Sequence, residues 1–340
     1  MRNKIRILAA VIVIIIIAVA GCLTGDKNLQ NGKTNENITI RYLSSSTVVE
    51  PYEFASELGY LKGINISRLG SNTGGPEDIM SVATGSTDVG HSAWVSIINA
   101  KARGAEIKAV AGPMGNSPES WYEGTPFLSK LLVLEKSGIM SAKDLKGKKI
   151  AVHSLGAHAE YVTRAYLAKN NMSRDDVQLL VMSHHEEILR QGQVDAVVPV
   201  GAQIDKMEAG GGVRVIFTDY EIIGNQTHCG MFMSEKFIND NPEAVRAFVE
   251  ASANAADWAR DHPEEAKELA ARIMKNKGGN PDLAKYWKGF GVRDHALLED
   301  SDVQFWIDWL VRDGRINEGQ FKPSDFYTNE FNPYYGNKRG

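Results

Sequence analysis

Cysteine is almost missing from this sequence: among 340 residues only Cys22 and Cys229 carry a thiol. Two cysteines cannot build a disulfide framework, and no Cys-x-x-Cys or His-Glu-x-x-His spacing occurs to hold a metal. Gly-x-Ser-x-Gly and phosphate-binding glycine loops are missing as well, so the commonest signatures of hydrolases and nucleotide enzymes are absent. There is no excess of positive charge: 38 Lys and Arg stand against 42 Asp and Glu, a net charge of −4. This acidic balance argues against nucleic acid and anionic membrane surfaces as partners.

One long apolar run is present, at the start. Arg2, Lys4 and Arg6 form a basic head, Ile7 to Ala20 are apolar, and 19-VAGC-22 ends the run on small residues. Head, short apolar stretch and small-residue site describe an export signal. The run is also shorter than the roughly 20 residues a membrane span needs. The tetrapeptide resembles the lipobox of prokaryotic lipoproteins, which implies that residues 1–22 are a signal peptide and that Cys22 is lipidated. Loss of residues 1–22 removes three basic residues and no acid, leaving −7. Cys229 then has no partner within the chain and reads as a small buried hydrophobe. Residues 23–37 are rich in Asn, Gly and Lys and read as a flexible tether.

From Ile38 onward short apolar strands alternate with helical patterns. Strands are expected at Ile38–Leu43, Ile64–Leu69, Val89–Gly90, Ile107–Ala111, Leu131–Leu134, Lys149–Val152, Gln178–Val181, Ala196–Val198 and Val213–Phe217. Helices are expected at Pro51–Leu61, Glu77–Thr84, Ser92–Arg103 and Ala157–Ala168. Such alternation predicts α/β architecture with parallel sheets, whose ligands sit outside the carboxyl ends of the strands. After Pro242 the pattern turns helical, with Pro242–Arg260, a second helix from Pro263 to about Met274, and packing helices at Tyr286–Phe290 and Val303–Val311. The tryptophans Trp258, Trp287, Trp306 and Trp309 in this part read as core.

Several phrases then combine. 59-GYLKGINI-66, 81-SVATGSTDVGHS-92, 104-GAEIKAVAG-112, 137-SGIMSAKDLKGKKIAV-152, 191-QGQVDAVV-198 and 237-FINDNPEAVRAFVEAS-252 follow in order. This series resembles the nitrate/sulfonate/taurine-type solute-binding proteins of ABC importers. The resemblance implies a type II periplasmic-binding-protein fold: two α/β lobes, two crossovers and a ligand cleft between the lobes. It divides the chain into one lobe of residues 38–125 plus 226–340 and another of 126–225, with crossovers near 112–130 and 222–234.

In that frame the strand-to-helix junctions face the cleft, where helix N-termini offer unpaired N–H groups and a positive dipole end. First-lobe junctions supply Ser45, Ser46, Thr47, Glu50, Asn72, Thr73, Gly74, His91, Ser92 and Trp94 as candidate ligand contacts. Second-lobe junctions supply Ser154, Gly156, Ala157, His158, His184 and Val200. The loop 153-HSLGAH-158 is the expected head-group cradle, since small residues admit an anion to the backbone. Ser154 is either a ligand donor or a helix N-cap. Glu50 either meets a ligand ammonium or faces water, and Trp94 either stacks on the ligand or packs its lobe. Trp121 and Tyr122, in a Pro/Gly-rich stretch beside the first crossover, are a candidate lid. The run 183-SHHEE-187 reads as a Ser N-cap with acidic residues in the first turn rather than a metal site.

The expected function follows from the resemblance. It is a lipid-anchored extracytoplasmic binding protein, monomeric and without a cofactor, that passes a small organic anion to an ABC permease. A thiamine-pyrimidine precursor or another small heterocycle is the alternative ligand. An enzyme of thiamine-pyrimidine synthesis is the alternative of another class.

Overall fold

The computed structural model describes residues 37–72, 74–116 and 129–336. The signal peptide, Cys22, most of the tether, Thr73, and the lid candidates Trp121 and Tyr122 lie outside the described residues.

Ten strands are described: β1 (Ile38–Leu43), β2 (Ile64–Gly70), β3 (Val89–Ala93), β4 (Ile107–Ala111), β5 (Lys130–Leu134), β6 (Lys149–Val152), β7 (Gln178–Val181), β8 (Ala196–Val198), β9 (Val213–Thr218) and β10 (Cys229–Ser234). Between them run α1 (Pro51–Glu57), α2 (Gly75–Ala83), α3 (Trp94–Ala102), α4 (His158–Lys169), α5 (His185–Arg190), α6 (Ala202–Ala209) and α7 (Tyr220–Ile223). After β10 follow α8 (Glu235–Asp240), α9 (Pro242–Asp261), α10 (Pro263–Asn276) and α11 (Asp300–Arg312).

The sheets repeat one design. β7-β6-β8-β5-β9 form a five-stranded sheet in which β6 is parallel to β7 and β8, while β5 runs antiparallel to β8 and β9. Elsewhere β1 pairs with β2 in parallel, and β10 lies antiparallel between β3 and β4. One bond, Asp88 N–H to Arg41 O at 2.9 Å, joins the pair to the trio and gives the order β2-β1-β3-β10-β4. Each sheet therefore carries one antiparallel strand in the same place. This corrects the all-parallel expectation: β5 and β10 each enter their sheet from the far side, after a segment that has crossed between lobes. β10 itself, expected to be crossover chain, is a strand. This is the two-lobed α/β fold of the periplasmic binding proteins.

Packing explains the helical half. Along α9 the buried residues Val245, Phe248, Val249, Ser252, Ala255, Ala256 and Ala259 repeat at the helical period and pack with Tyr42, Tyr52 and Phe54. Pro263 starts α10 directly after α9. A second apolar core runs through α3, β4, β5, β6, α4 and α11, with Trp94 and Trp306 fully buried. The packing helix expected at Tyr286–Phe290 does not form. A 3-10 turn over Pro281–Tyr286 gives way to extended chain, with Gly289 and Gly291 both at positive φ.

Candidate functional site

A cavity of about 920 Å³ opens at the carboxyl ends of both sheets. Ser45 and Thr47 follow β1, Asn72, Gly74 and Gly75 follow β2, His91, Ser92 and Ala93 end β3, and Met114 follows β4. From the other sheet come His153, Ala157 and His158 after β6, Val181 to His185 around the end of β7, and Val200 to Gln203 after β8. Leu283, Tyr286, Trp287, Lys288 and Phe290 close it from the C-terminal half. The size lies in the upper range of small-molecule sites.

The charged centre is His91. Its Nδ1 lies 2.9 Å from Glu50 Oε1, and the Glu50 side chain is fully buried. Asp78 Oδ2 accepts the His91 backbone N–H at 3.3 Å, while Asp78 Oδ1 accepts Asn72 Nδ2–H at 2.6 Å. Burial by itself lowers the His91 pKa, but Glu50, then Asp78 and Glu53, outweigh it and push it up to about 9. The ring is a cation at neutral pH. With Nδ1 turned to Glu50, Nε2 is the nitrogen it can offer to the cavity. Burial, opposed by His91 and Asn72, pushes Asp78 up to about 6. Behind them Lys277 Nζ holds Glu53 Oε2 at 2.8 Å.

The other imidazoles are of the opposite kind. Burial, then His185 and His158, push His153 down to about 4, and burial lowers His185. They are neutral groups, each able to donate or accept. Lys288 Nζ meets Asp205 Oδ1 at 2.6 Å, bridging the 3-10 segment to α6. The wall formed by Trp287 and Phe290 is continuous with Phe54, the rings lying 5.0–5.3 Å apart. Gly75 has no room for a side chain, since a Cβ there would lie 2.0 Å from Ser92 Oγ.

Of the expected contacts, Ser45, Thr47, Asn72, Gly74, His91, Ser92, Ala157, His158, His184 and Val200 do line the cavity. Among the described residues the others are placed differently. Glu50 touches neither ligand space nor water, because it is buried behind His91. Trp94 is fully buried and its indole N–H donates to Thr227 O at 2.7 Å, so it packs the lobe. The carbonyl of Ser46 packs against Gly279.

The loop 153–158 is not an open cradle. Gly156 N–H already donates to Glu160 Oε2 at 2.6 Å, and Gly156 O accepts from Ser96 Oγ. Ser154 Oγ donates to Leu155 O at 3.2 Å and caps nothing; the N-cap of α4 is Ala157. An internal carboxylate occupies the place proposed for the ligand's anion. Likewise His184, in left-handed conformation at φ 56°, and not Ser183, is the N-cap of α5. His158 reaches the cavity wall, yet its Nε2 lies 3.0 Å from buried Asp219 Oδ2.

A family model described as NMT1/THI5 like matches residues 46–266. The chain belongs to that family. Among sequence relatives of this NMT1/THI5-like chain is 4-amino-5-hydroxymethyl-2-methylpyrimidine phosphate synthase of Candida albicans (strain WO-1), 27% identical over 301 residues, or 83% of each chain. The fold matches the periplasmic aliphatic sulphonate binding protein SsuA from Escherichia coli at a TM-score of 0.63 and 21% identity, covering 83% of this chain and 88% of that one. It also matches the periplasmic nitrate-binding protein NrtA from Synechocystis PCC 6803 at a TM-score of 0.69 and 12% identity, over 87% of both.

Part of the lining was not legible in the sequence. The aromatics of Tyr286–Phe290 sit at helical spacing and read as a packing helix rather than as cavity wall. Cys229 reads as a small buried hydrophobe and gives no sign of facing the cavity. The glycines that flank Phe290 were the available hint that this segment is extended.

Proposed function

We propose that this chain is a non-enzymatic, extracytoplasmic solute-binding protein of an ABC importer, anchored by lipid at Cys22 and monomeric. Its ligand is a small organic anion of the sulfonate class, trapped between a lobe of residues 38–125 plus 226–340 and one of 126–225. The carrying observation is His91, an imidazolium fixed by a buried carboxylate at the cavity wall. Ser92 and Asn72 stand beside it with neutral donors, and α2 starts next to them with Glu77 and Asp78 in its first turn. This arrangement, rather than the 153–158 loop, is the anion cradle.

Closure brings the lobes together around the ligand. Contacts in place for that state are Asn99 Nδ2–H to Tyr161 Oη at 3.2 Å, Lys288 to Asp205 at 2.6 Å, and His153 against Gly74. Among the described residues no helix is long and apolar enough to cross a membrane. Isothermal titration of the full-length chain with sulfonates, oxyanions, amino acids and pyrimidines tests the reading. Saturable sulfonate binding that His91→Gln abolishes supports it. Binding of pyrimidines alone overturns the anion class.

A second reading, a thiamine-pyrimidine precursor or similar heterocycle as ligand, is favoured by the aromatic wall of Trp287 and Phe290 and by the neutral ring nitrogens of His153 and His185. The pyrimidine synthase among the relatives adds to it. Catalysis has little support from the residues present. The described part contains one cysteine, Cys229, which is buried and whose pKa burial raises well above its ordinary value.

A further inference from the structure

A second constellation shares His158 with the wall of the solute cavity and extends behind it. Asp219 directly follows β9, His228 directly precedes β10, and His158 is the first residue of α4. All three are buried, with exposures of 0%, 0% and 4%. His158 Nε2 lies 3.0 Å from Asp219 Oδ2 and His228 Nδ1 lies 3.8 Å from the same oxygen. The two imidazoles stack, centroids 4.7 Å apart and planes 18° from parallel, so both present an edge to one carboxylate.

His228 is the anomaly. Among the described residues neither of its ring nitrogens has a hydrogen-bond partner, and His158 Nδ1 has none either. A buried polar atom without a partner costs roughly 1–3 kcal/mol, and a bound ion is one of the few things that removes that cost. Burial favours uncharged His228, which is the protonation state that ligates metals. For Asp219, burial opposes ionisation, but the His158 bond, the neighbouring imidazoles and the Ser129 amide at 2.9 Å hold it below the usual carboxylate range.

We propose that His158, Asp219 and His228 form a binding site for a divalent transition metal of the zinc type. The three ligand atoms lie within 4.8 Å of one another. Tetrahedral zinc holds N and O at about 2.0–2.2 Å, hence roughly 3–3.5 Å apart, so the His158–Asp219 pair at 3.0 Å already fits, while His228 must close toward Asp219 from 3.8 Å and draw nearer the His158 nitrogen as well. Two nitrogens and one carboxylate oxygen are a zinc donor set, and the fourth position opens where His158 meets the cavity. The metal would fasten the ends of segment 219–228, which leads from one sheet to the other, to the start of α4.

The test uses the full-length chain stripped with chelator, titrated with Co²⁺ and Zn²⁺ and read by visible d–d absorption and by melting temperature, with no solute present. One equivalent of Co²⁺ that develops tetrahedral absorption, is displaced by Zn²⁺ and raises the melting temperature is expected. His228→Gln and Asp219→Asn should each weaken Co²⁺ binding more than about 100-fold, beyond what loss of a supporting partner causes. Two variants are used because either one could fold poorly; retention of the far-ultraviolet spectrum qualifies each. No binding to the unaltered chain at micromolar metal overturns the site. Binding that survives both substitutions but disappears in His153→Ala or His185→Ala overturns it too, placing the metal in the cavity. Because no solute enters the assay, a negative result here leaves the anion reading standing, and the reverse also holds.

Discussion

Replacing Glu50 with glutamine removes one charge and almost no volume from a fully buried position, and its effect can be followed through His91 to the ligand. In the unaltered protein the His91 pKa stands near 9, about 2.5 above its ordinary value, which corresponds to about 3 kcal/mol. Because the folded pKa is raised, this contribution is fully present below pH 6.5 and is lost as pH rises through about 9. In Glu50→Gln the strongest of the raising influences is gone, while burial still disfavours the cation, so His91 titrates lower. Since the ring can release its proton, no charge is stranded, and the fold should survive at a cost of no more than about 3 kcal/mol at pH 6. Anion binding should suffer more visibly. One hydrogen bond to a charged partner contributes about 1.5–3 kcal/mol, or a roughly 10- to 150-fold weaker Kd at pH 7.5. The assay is titration of the tightest sulfonate from the screen at pH 6, 7.5 and 9, with denaturant melts of the ligand-free protein in the same buffers. Affinity of the unaltered protein should hold to pH 7.5 and decline toward pH 9, with the variant's decline beginning at lower pH. Equal affinities for the two proteins at pH 7.5, with a folded variant, would refute the chain of reasoning from Glu50 to His91 to anion.

Other expectations concern the scaffold and the closed state. Trp94→Phe leaves the Thr227 carbonyl without its 2.7 Å donor and should cost about 1–3 kcal/mol of stability in urea with unchanged ligand Kd; a weakened Kd would return Trp94 to the binding site. Gly156→Val forces a β-branched residue into φ 76°, so it should destabilise by roughly 1–2 kcal/mol; a melting temperature unchanged while affinity falls would restore the 153–158 cradle. Asp205→Asn breaks the half-buried pair with Lys288 at 2.6 Å. It should raise the ligand off-rate about five-fold, the equivalent of about 1 kcal/mol, in stopped-flow release. Cys22→Ser should move the protein from the membrane to the soluble fraction or stall its processing in a lipoprotein-processing host; normal membrane retention with the signal cleaved would contradict the anchor.

Local rules fixed much of this architecture. β1, β4, β6, β7 and β8 have the bounds that apolar runs between turn residues predict, and α9 and α10 start at their prolines because the ring suits the first turn and nowhere later. The series of short motifs indicated the family before any contact was known. The order of junctions around the cleft was also legible, since parallel βα units always direct their loops to one end. What the sequence could not show depends on distance. Glu50 and His91 are 41 residues apart, and whether a carboxylate faces a ligand or a histidine is decided only when the tertiary fold brings the residue before α1 to within 2.9 Å of the His91 ring. Glu160 claims the Gly156 amide because α4 curls its first turn back over the loop, and nothing in the spacing distinguishes that use from a vacant cradle. Asp219 and His228 flank a crossover, and His158, 61 residues before Asp219, reaches them only through packing of α4. Periodicity reports which face of an element is buried; pairwise electrostatics depends on which buried groups end up within 3–4 Å, and in this protein the tertiary fold alone made those choices.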